Sequence, residues 1–208
     1  MEERKYPIST ISRLRMGIDG EGIRTLILVS GCPLRCKYCI NPFTWDGTRR
    51  SENLTAKEVY ERVQIDRLYM LATNGGVTFG GGEPLLYPEL IREFRDICNP
   101  DLTIYVETSL NVDWRNIELL LDVVDRFYVD IKTMDTEIYA AYTEGELSLV
   151  TDNLEKLIHR RPEDIVARIP VIPGYTDKSS QRQSQKVLRR LGVKHFNLFD
   201  YRVPYCRS

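Results

Sequence analysis

The stretch Leu26-Ile27-Leu28-Val29-Ser30-Gly31-Cys32-Pro33-Leu34-Arg35-Cys36-Lys37-Tyr38-Cys39 decides how the rest of the chain is read. Its apolar opening, Leu26-Ile27-Leu28-Val29, reads as a strand. The strand runs directly into three cysteines at C-x3-C-x2-C spacing. A strand ending in a tight thiolate loop is a place to hold a metal. Structural zinc takes four tetrahedral ligands, and this loop offers three. Cubane iron–sulfur clusters are held by thiolates, usually one per iron, so Cys32, Cys36 and Cys39 would leave one iron open to a substrate or cofactor. An open-site [4Fe–4S] cluster is the preferred reading, with zinc or a chance spacing as the alternatives.

Outward from that loop, a strand-like run followed by a helix-like run recurs along the chain. Strands are expected at 25–30, 76–79, 102–107, 127–131, 165–172 and 196–199. The capping-box spacing of Thr55-Ala56-Lys57-Glu58 predicts a helix running to about residue 72, with Val59, Val63, Ile65, Leu68 and Leu71 as its buried stripe. Further helices are predicted over 88–98, 113–121, 136–143, 147–160 and 180–191. The first has proline in its opening turn and the last is stopped by Gly192. Six βα units without a seventh or eighth predict an α/β fold, an open partial (βα)6 TIM-like barrel in a single domain over 1–208, with a short tail at 203–208. In α/β barrels functional groups gather at the carboxyl ends of the strands. Cys32, Cys36, Cys39, Gly81, Gly82, Glu83, Glu107, Asp130, Lys132, Arg168 and Arg202 all fall near such ends.

Composition narrows the class. With 208 residues, 42% hydrophobic and 28% charged, the chain is expected to build one substantial core. A net charge of −1 gives no general electrostatic case for nucleic acid. No run approaches membrane-spanning length, and Met1-Glu2-Glu3-Arg4-Lys5-Tyr6 lacks the apolar centre of a signal peptide. Five cysteines, three of them clustered, suit a reducing cytosol better than a disulfide framework. A cytoplasmic protein with no membrane or nucleic-acid partner is expected. Cys98 and Cys206 read as a core residue and a tail residue.

The cysteine spacing, with Tyr38 just before the last cysteine, resembles the radical S-adenosylmethionine (SAM) superfamily. More narrowly, Asp19-Gly20-Glu21-Gly22-Ile23-Arg24-Thr25, the loop itself, then Asn41-Pro42 and Trp45 resemble its glycyl-radical-enzyme activase branch, that of the pyruvate formate-lyase activating enzymes. The resemblance implies that the open iron is chelated by the amino and carboxylate groups of SAM. It also implies that an electron from the reduced cluster breaks a sulfonium C–S bond, and that the resulting 5′-deoxyadenosyl radical takes a hydrogen atom from the substrate. The protein supplies placement and shielding. A flavodoxin or ferredoxin is the implied electron donor.

Further segments join that pattern. Gly80-Gly81-Gly82-Glu83-Pro84 lets backbone approach a ligand closely, and without a following GK[ST] it is no phosphate loop. It resembles the family's GGEP motif, which implies that Gly81, Gly82 and Glu83 receive the amino group of SAM; a plain glycine-rich turn is the alternative. Asp130-Ile131-Lys132 ends an alternating strand, so both charges face one side. It resembles the branch's DxK motif, which implies a part in positioning SAM or a nearby cation, against a solvated pair at a strand edge. Glu107-Thr108-Ser109 takes the place of the family's Asp-Thr-Asn-Gly segment, which implies that Glu107 and Ser109 lie near SAM or the substrate. Arg168, in Ala167-Arg168-Ile169-Pro170-Val171-Ile172-Pro173-Gly174, matches R-x-P-x-I-P-G. Its guanidinium suits a carboxylate, and an ion pair tying two strands is the alternative. Tyr38 and Asn41 join the cofactor set, and Glu107, Asp130, Lys132 and Arg202 are the candidate catalytic residues. His159 and His195 show no ligand spacing.

The chain also departs from the branch. Cys39-Ile40-Asn41-Pro42 stands where C-H-N-P is usual, and Phe199-Asp200-Tyr201-Arg202 puts arginine where Leu-Pro-Tyr-His has histidine. The tail Val203-Pro204-Tyr205-Cys206 would wall off a small ligand, with Tyr205 stacking on it. These departures lean the substrate reading to a small molecule, such as the nucleobase queuine undergoing lyase-type C–N cleavage. An activase acting on a partner glycyl radical enzyme is the alternative, and a non-catalytic iron–sulfur protein stands behind both.

Overall fold

A computed structural model describes residues 3–202 of the chain. The tail at 203–208, with Tyr205 and Cys206, lies outside the described residues. Two compact units are present. One holds the chain up to Cys32, Pro42–Glu107 and Asp113–Phe127; the other holds Pro33–Asn41, Thr108–Val112 and the chain from Tyr128 onward.

The first unit opens with two long antiparallel strands, β1 (Tyr6–Met16) and β2 (Ile23–Val29), followed by the short β3 (Glu52–Leu54). Helices α1 (Ala56–Val63) and α2 (Arg67–Ala72) lead to β4 (Gly76–Gly81), then α3 (Pro88–Ile97), β5 (Thr103–Thr108) and α4 (Trp114–Glu118). The strand order is β3-β1-β2-β4-β5, with β2, β4 and β5 parallel. Nearly all of β2 and β4 is buried, as expected of parallel strands covered on both faces. Ile27, Val29, Val77, Phe79, Ile104 and Val106 form the centre of this layer. Phe94 of α3 meets Phe79 edge to face at 5.4 Å, a geometry that adds about 0.5–1.5 kcal/mol to the gain from burial. The strands β1 and β3 were not expected. In β1 Ser9 is buried while Leu14 and Met16 are exposed, so the strand carries no clean apolar alternation.

The Thr55 capping box forms as predicted, with Glu58 N–H donating to Thr55 Oγ1 (3.2 Å) and Thr55 N–H donating to Glu58 Oε2 (2.8 Å). The helix it starts does not run to residue 72. It stops at Val63, a 3-10 turn covers Gln64–Asp66, and α2 restarts at Arg67. Ile65 and Leu68 are 66% and 73% exposed, so the expected stripe fails at both, and Met70 is buried instead. The cause is long-range. Asp66 turns inward to take a bidentate pair from Arg13 of β1 at 2.6 and 2.7 Å, which shifts the phase of the residues around it.

The second unit contains β6 (Arg126–Asp130, entering at Tyr128), α5 (Thr136–Thr143), α6 (Leu147–Arg160), β7 (Ile165–Val171), α7 (Lys178–Leu191) and β8 (His195–Asp200). Strands β7 and β8 are parallel, and Ile131 N–H donates to Arg168 O (3.0 Å) where β6 ends. Asp177 caps α7 through Ser180 N–H at 2.8 Å, and Gly192 closes it at φ +112°. The six expected strands thus appear as β2, β4, β5, β6, β7 and β8, each within two residues of its predicted ends. No helix among the described residues is long and apolar enough to cross a membrane.

Candidate functional site

In the first unit the carboxyl ends of β2 and β4 are stitched together. Gly82 N–H donates to Val29 O (3.1 Å), and Glu83 N–H donates to Gly31 O (2.8 Å). A Cβ on Gly82 would overlap the Gly31 carbonyl, and one on Gly81 would lie 2.7 Å from Leu28 Cα. Packing between the two loops therefore demands these glycines whether or not a ligand is present. Glu83 is 1% exposed, and its Oε1 accepts from Leu85 N–H (3.2 Å), capping the turn Pro84–Leu86. Glu107, half-buried on β5, brings a carboxylate oxygen to 3.4 Å from the Cβ position of Gly80. Cys32 is half-buried and free of any disulfide.

Arg24, within the activase-like segment, has a different place. It is 1% exposed, near the start of β2, and not among the strand ends that carry the motifs. Its guanidinium donates to Thr78 Oγ1 (2.7 Å), Val77 O (2.6 Å), and both Thr103 Oγ1 (2.8 Å) and Thr103 O (3.0 Å), and stacks 3.6 Å from the Tyr105 ring centre. It ties β2, β4 and β5 into one layer.

In the second unit the loop carrying Cys36, Tyr38, Cys39 and Asn41 hangs from the end of α5. Arg35 N–H donates to Thr143 O (2.7 Å), Lys37 N–H to Tyr142 O (3.0 Å), and Cys39 N–H to Cys36 O (3.1 Å). Beyond α5, Gly145 leaves no room for a side chain, since a Cβ there would overlap Leu34 of the same loop. Tyr38, Tyr142 and Tyr175 contact one another edge to face, with ring centres 5.0–6.1 Å apart. Tyr201, held by its N–H to Val171 O (2.8 Å), donates its hydroxyl to the Tyr38 carbonyl between the two cysteines. Burial pushes the Tyr201 hydroxyl up to about 12, against the pull of Lys132, so it stays a donor. The sequence reading singled out Tyr38 alone. Its ring partners lie far along the chain with no local signal to join them.

Asp130 is the centre of the charges here. Its Oδ1 accepts from Arg168 Nε (2.6 Å) and its Oδ2 from Lys132 Nζ (2.9 Å). The three side chains are only 16–25% exposed, which removes the solvated-pair alternative. The Arg168–Asp130 pair joins β7 to β6. Burial alone would raise the Asp130 carboxyl, yet Arg168 and Lys132 hold it well below the usual range. Burial would likewise lower the Lys132 ammonium, but Asp130 and then Cys36 keep it well above its ordinary value. Both shifts favour the charged forms of Asp130 and Lys132. The Cys36 thiol is pushed up by burial, with Lys132 opposing.

Ser109 and Leu110 show how the altered Asp-Thr-Asn-Gly segment is built. Thr108 Oγ1 accepts from Leu110 N–H (2.9 Å) and Ser109 Oγ from Asn111 N–H (3.3 Å), so the Ser109 oxygen already serves its own loop. Leu110, where that pattern has glycine, is buried at φ +57°, a left-handed conformation costing about 1–2 kcal/mol. Arg202 is exposed, and no ion pair joins it among the described residues; Asp200 pairs with Lys178.

Among the described residues no three His, Cys, Asp or Glu side chains stand close enough to hold one metal ion. A cubane cluster is held by cysteine thiolates, one per iron. Three half-buried cysteines free of disulfides, one of them facing a buried ammonium, fit such a group.

The family described as the Radical SAM superfamily matches residues 26–181. A pyruvate formate-lyase-activating enzyme from Clostridium pasteurianum is 31% identical over 186 residues, spanning 88% of this chain and 77% of that protein. The (2S)-3-sulfopropanediol dehydratase activating enzyme of Klebsiella oxytoca is 28% identical over 239 residues, spanning 85% of this chain and 75% of that protein. A solved radical SAM methyltransferase from Sphaerobacter thermophilus shares the fold at TM-score 0.63 and 20% identity, over 93% of this chain and 67% of the other. The α/β fold is thus the open partial barrel that the six βα repeats predict, with its sheet unclosed.

Proposed function

This chain belongs to the radical SAM superfamily, and from that premise we propose that it activates a glycyl radical enzyme by removing a hydrogen atom from a glycine of that partner protein. The observation that carries the reading is the likeness to two activating enzymes, each over about three quarters of its own length. The departures at Ile40, Glu107 and Arg202 lean toward a small molecule such as queuine. The relatives favour the activating-enzyme alternative instead, and neither the lyase reading nor the non-catalytic one draws support from them.

Cys32, Cys36 and Cys39 would hold a [4Fe–4S] cluster; when bound, the cluster and SAM supply a low-potential electron and a 5′-deoxyadenosyl group able to take up a hydrogen atom. The protein's own part is placement. Lys132 and Arg168, oriented by Asp130, offer positive charge to a carboxylate. The carbonyls of Gly81 and Gly82 and the carboxylate of Glu83 offer acceptors to an amino group. Tyr38, backed by Tyr142 and Tyr175, shields the cysteine loop from water. Asn41, Glu107 and Ser109 complete the cofactor set, and Arg202 is left for the partner's peptide. A flavodoxin or ferredoxin is the reductant of choice.

The test is anaerobic reconstitution, expected to give about four irons per chain, followed by reduction with SAM and a panel of candidate partner enzymes. A glycyl radical on one partner, seen by electron paramagnetic resonance, is the expected result. If no partner gains a radical while a metabolite alone stimulates 5′-deoxyadenosine release, the small-molecule reading returns.

A further inference from the structure

In the first unit, β3 is the edge strand and pairs only with Tyr6–Ile8 of β1. Residues 9–16 therefore have no strand beside them on that side among the described residues. Along this open edge lies a cleft of about 480 Å³ whose walls include Arg13, Arg49, Arg50 and Arg62, with Glu52 the acidic residue in the lining. Arg62 commits its guanidinium to Glu52 at 2.6 and 2.7 Å, and Arg13 commits its own to Asp66. Arg49 and Arg50 are exposed and form no ion pair among the described residues; Arg49 lies 5.4 Å from the Phe43 ring centre.

Open strand edges template the addition of another strand, and proteins commonly blunt them with charges and bulges. β1 does carry two register shifts against β2, between Ile8 and Thr10 and between Ser12 and Arg15. Arg13 of β1, however, lines a cleft together with Arg49, Arg50 and Arg62 from outside the strand. The main chain of β1 offers ladder hydrogen bonds, and the flanking guanidinium groups offer partners for carboxylates on alternate residues of an added strand. We propose that this edge is a docking site for an extended acidic peptide segment of a partner protein, added to the sheet beside β1 between Ile8 and Arg13. At roughly 3.4 Å per residue that span takes a segment of about five residues. The assignment rests on charge and backbone alone and stands independently of the SAM chemistry.

Fluorescence anisotropy of the full chain with a labelled Glu-Val-Glu-Val-Glu peptide tests it. Binding that weakens with added salt is expected. R49E/R50E, which breaks no ion pair, should weaken it by about tenfold or more with an unchanged melting temperature. Backbone N-methylation of the peptide should abolish binding. The unmodified peptide should slow hydrogen exchange at amides within residues 9–13 of the unaltered protein, a readout that stands even if the double variant folds poorly. Absence of binding, equal binding of the N-methylated or Lys-Val-Lys-Val-Lys peptide, or no amide protection would each overturn the proposal. So would self-association of the chain through residues 9–16, which would make a second copy the occupant.

Discussion

Arg24 lies in a segment that resembles activating enzymes, yet its guanidinium donates to the Glu21 carbonyl and to the backbone and hydroxyls of β4 and β5. Arg24→Ala should strand the buried carbonyls of Val77 and Thr103 and cost about 3–5 kcal/mol in urea unfolding. Arg24→Lys should recover little, since a point cation cannot reproduce a planar fork over the Tyr105 ring. Motif membership told nothing of this role, because a buried structural arginine and a ligand-binding one look alike in one dimension. Asp130 is the opposite case. The two-residue spacing to Lys132 made their pairing legible, and only the partner on β7 had to come from the fold. Tyr201 was invisible for a third reason, its target being a main-chain carbonyl. Tyr201→Phe deletes that donor while keeping the ring. The reconstituted variant should hold its full iron content but show shifted electron paramagnetic resonance values for the reduced cluster, whereas unchanged spectra would mean that the hydroxyl does not position the loop.

Among the elements, those whose signals are local were readable. Repeated apolar runs gave the six strands, and Thr55 with Glu58 gave the start of α1. The break after Val63 was not readable, because its cause sits on β1. Arg13, hydrogen-bonded to Asp66, holds that carboxyl below its ordinary value while Asp66 itself is 3% exposed. A depressed folded-state value means that the stabilisation is fully present above the unfolded value, about 3.9. It is lost as pH falls through the lower, folded value. Urea midpoints of the unaltered chain should therefore drop across that acid window. Asp66→Asn should be less stable at pH 7 and flatter with pH there; parallel curves for the two proteins would remove Asp66 from the account.

For the whole molecule, a cofactor that binds only the folded chain must stabilise it. Reconstituted protein should melt above the iron-free form, and Cys36→Ala should abolish that gap while leaving the iron-free melting temperature nearly unchanged. At this scale the sequence carried the chemistry well and the substrate poorly, since what a radical attacks depends on which partner arrives. The glycines around β4 carry a last consequence, for how sequence variation is to be interpreted. Side chains at Gly75 and Gly76 would overlap the carbonyls of Ile23 and Thr103, and one at Gly82 would overlap that of Gly31. A library of random variants selected only for solubility, with no cofactor and no turnover, should already return glycine at all three positions. Glycine at 82 is then a record of folding, and so in part is Glu83 beside it, whose buried carboxylate caps the turn Pro84–Leu86.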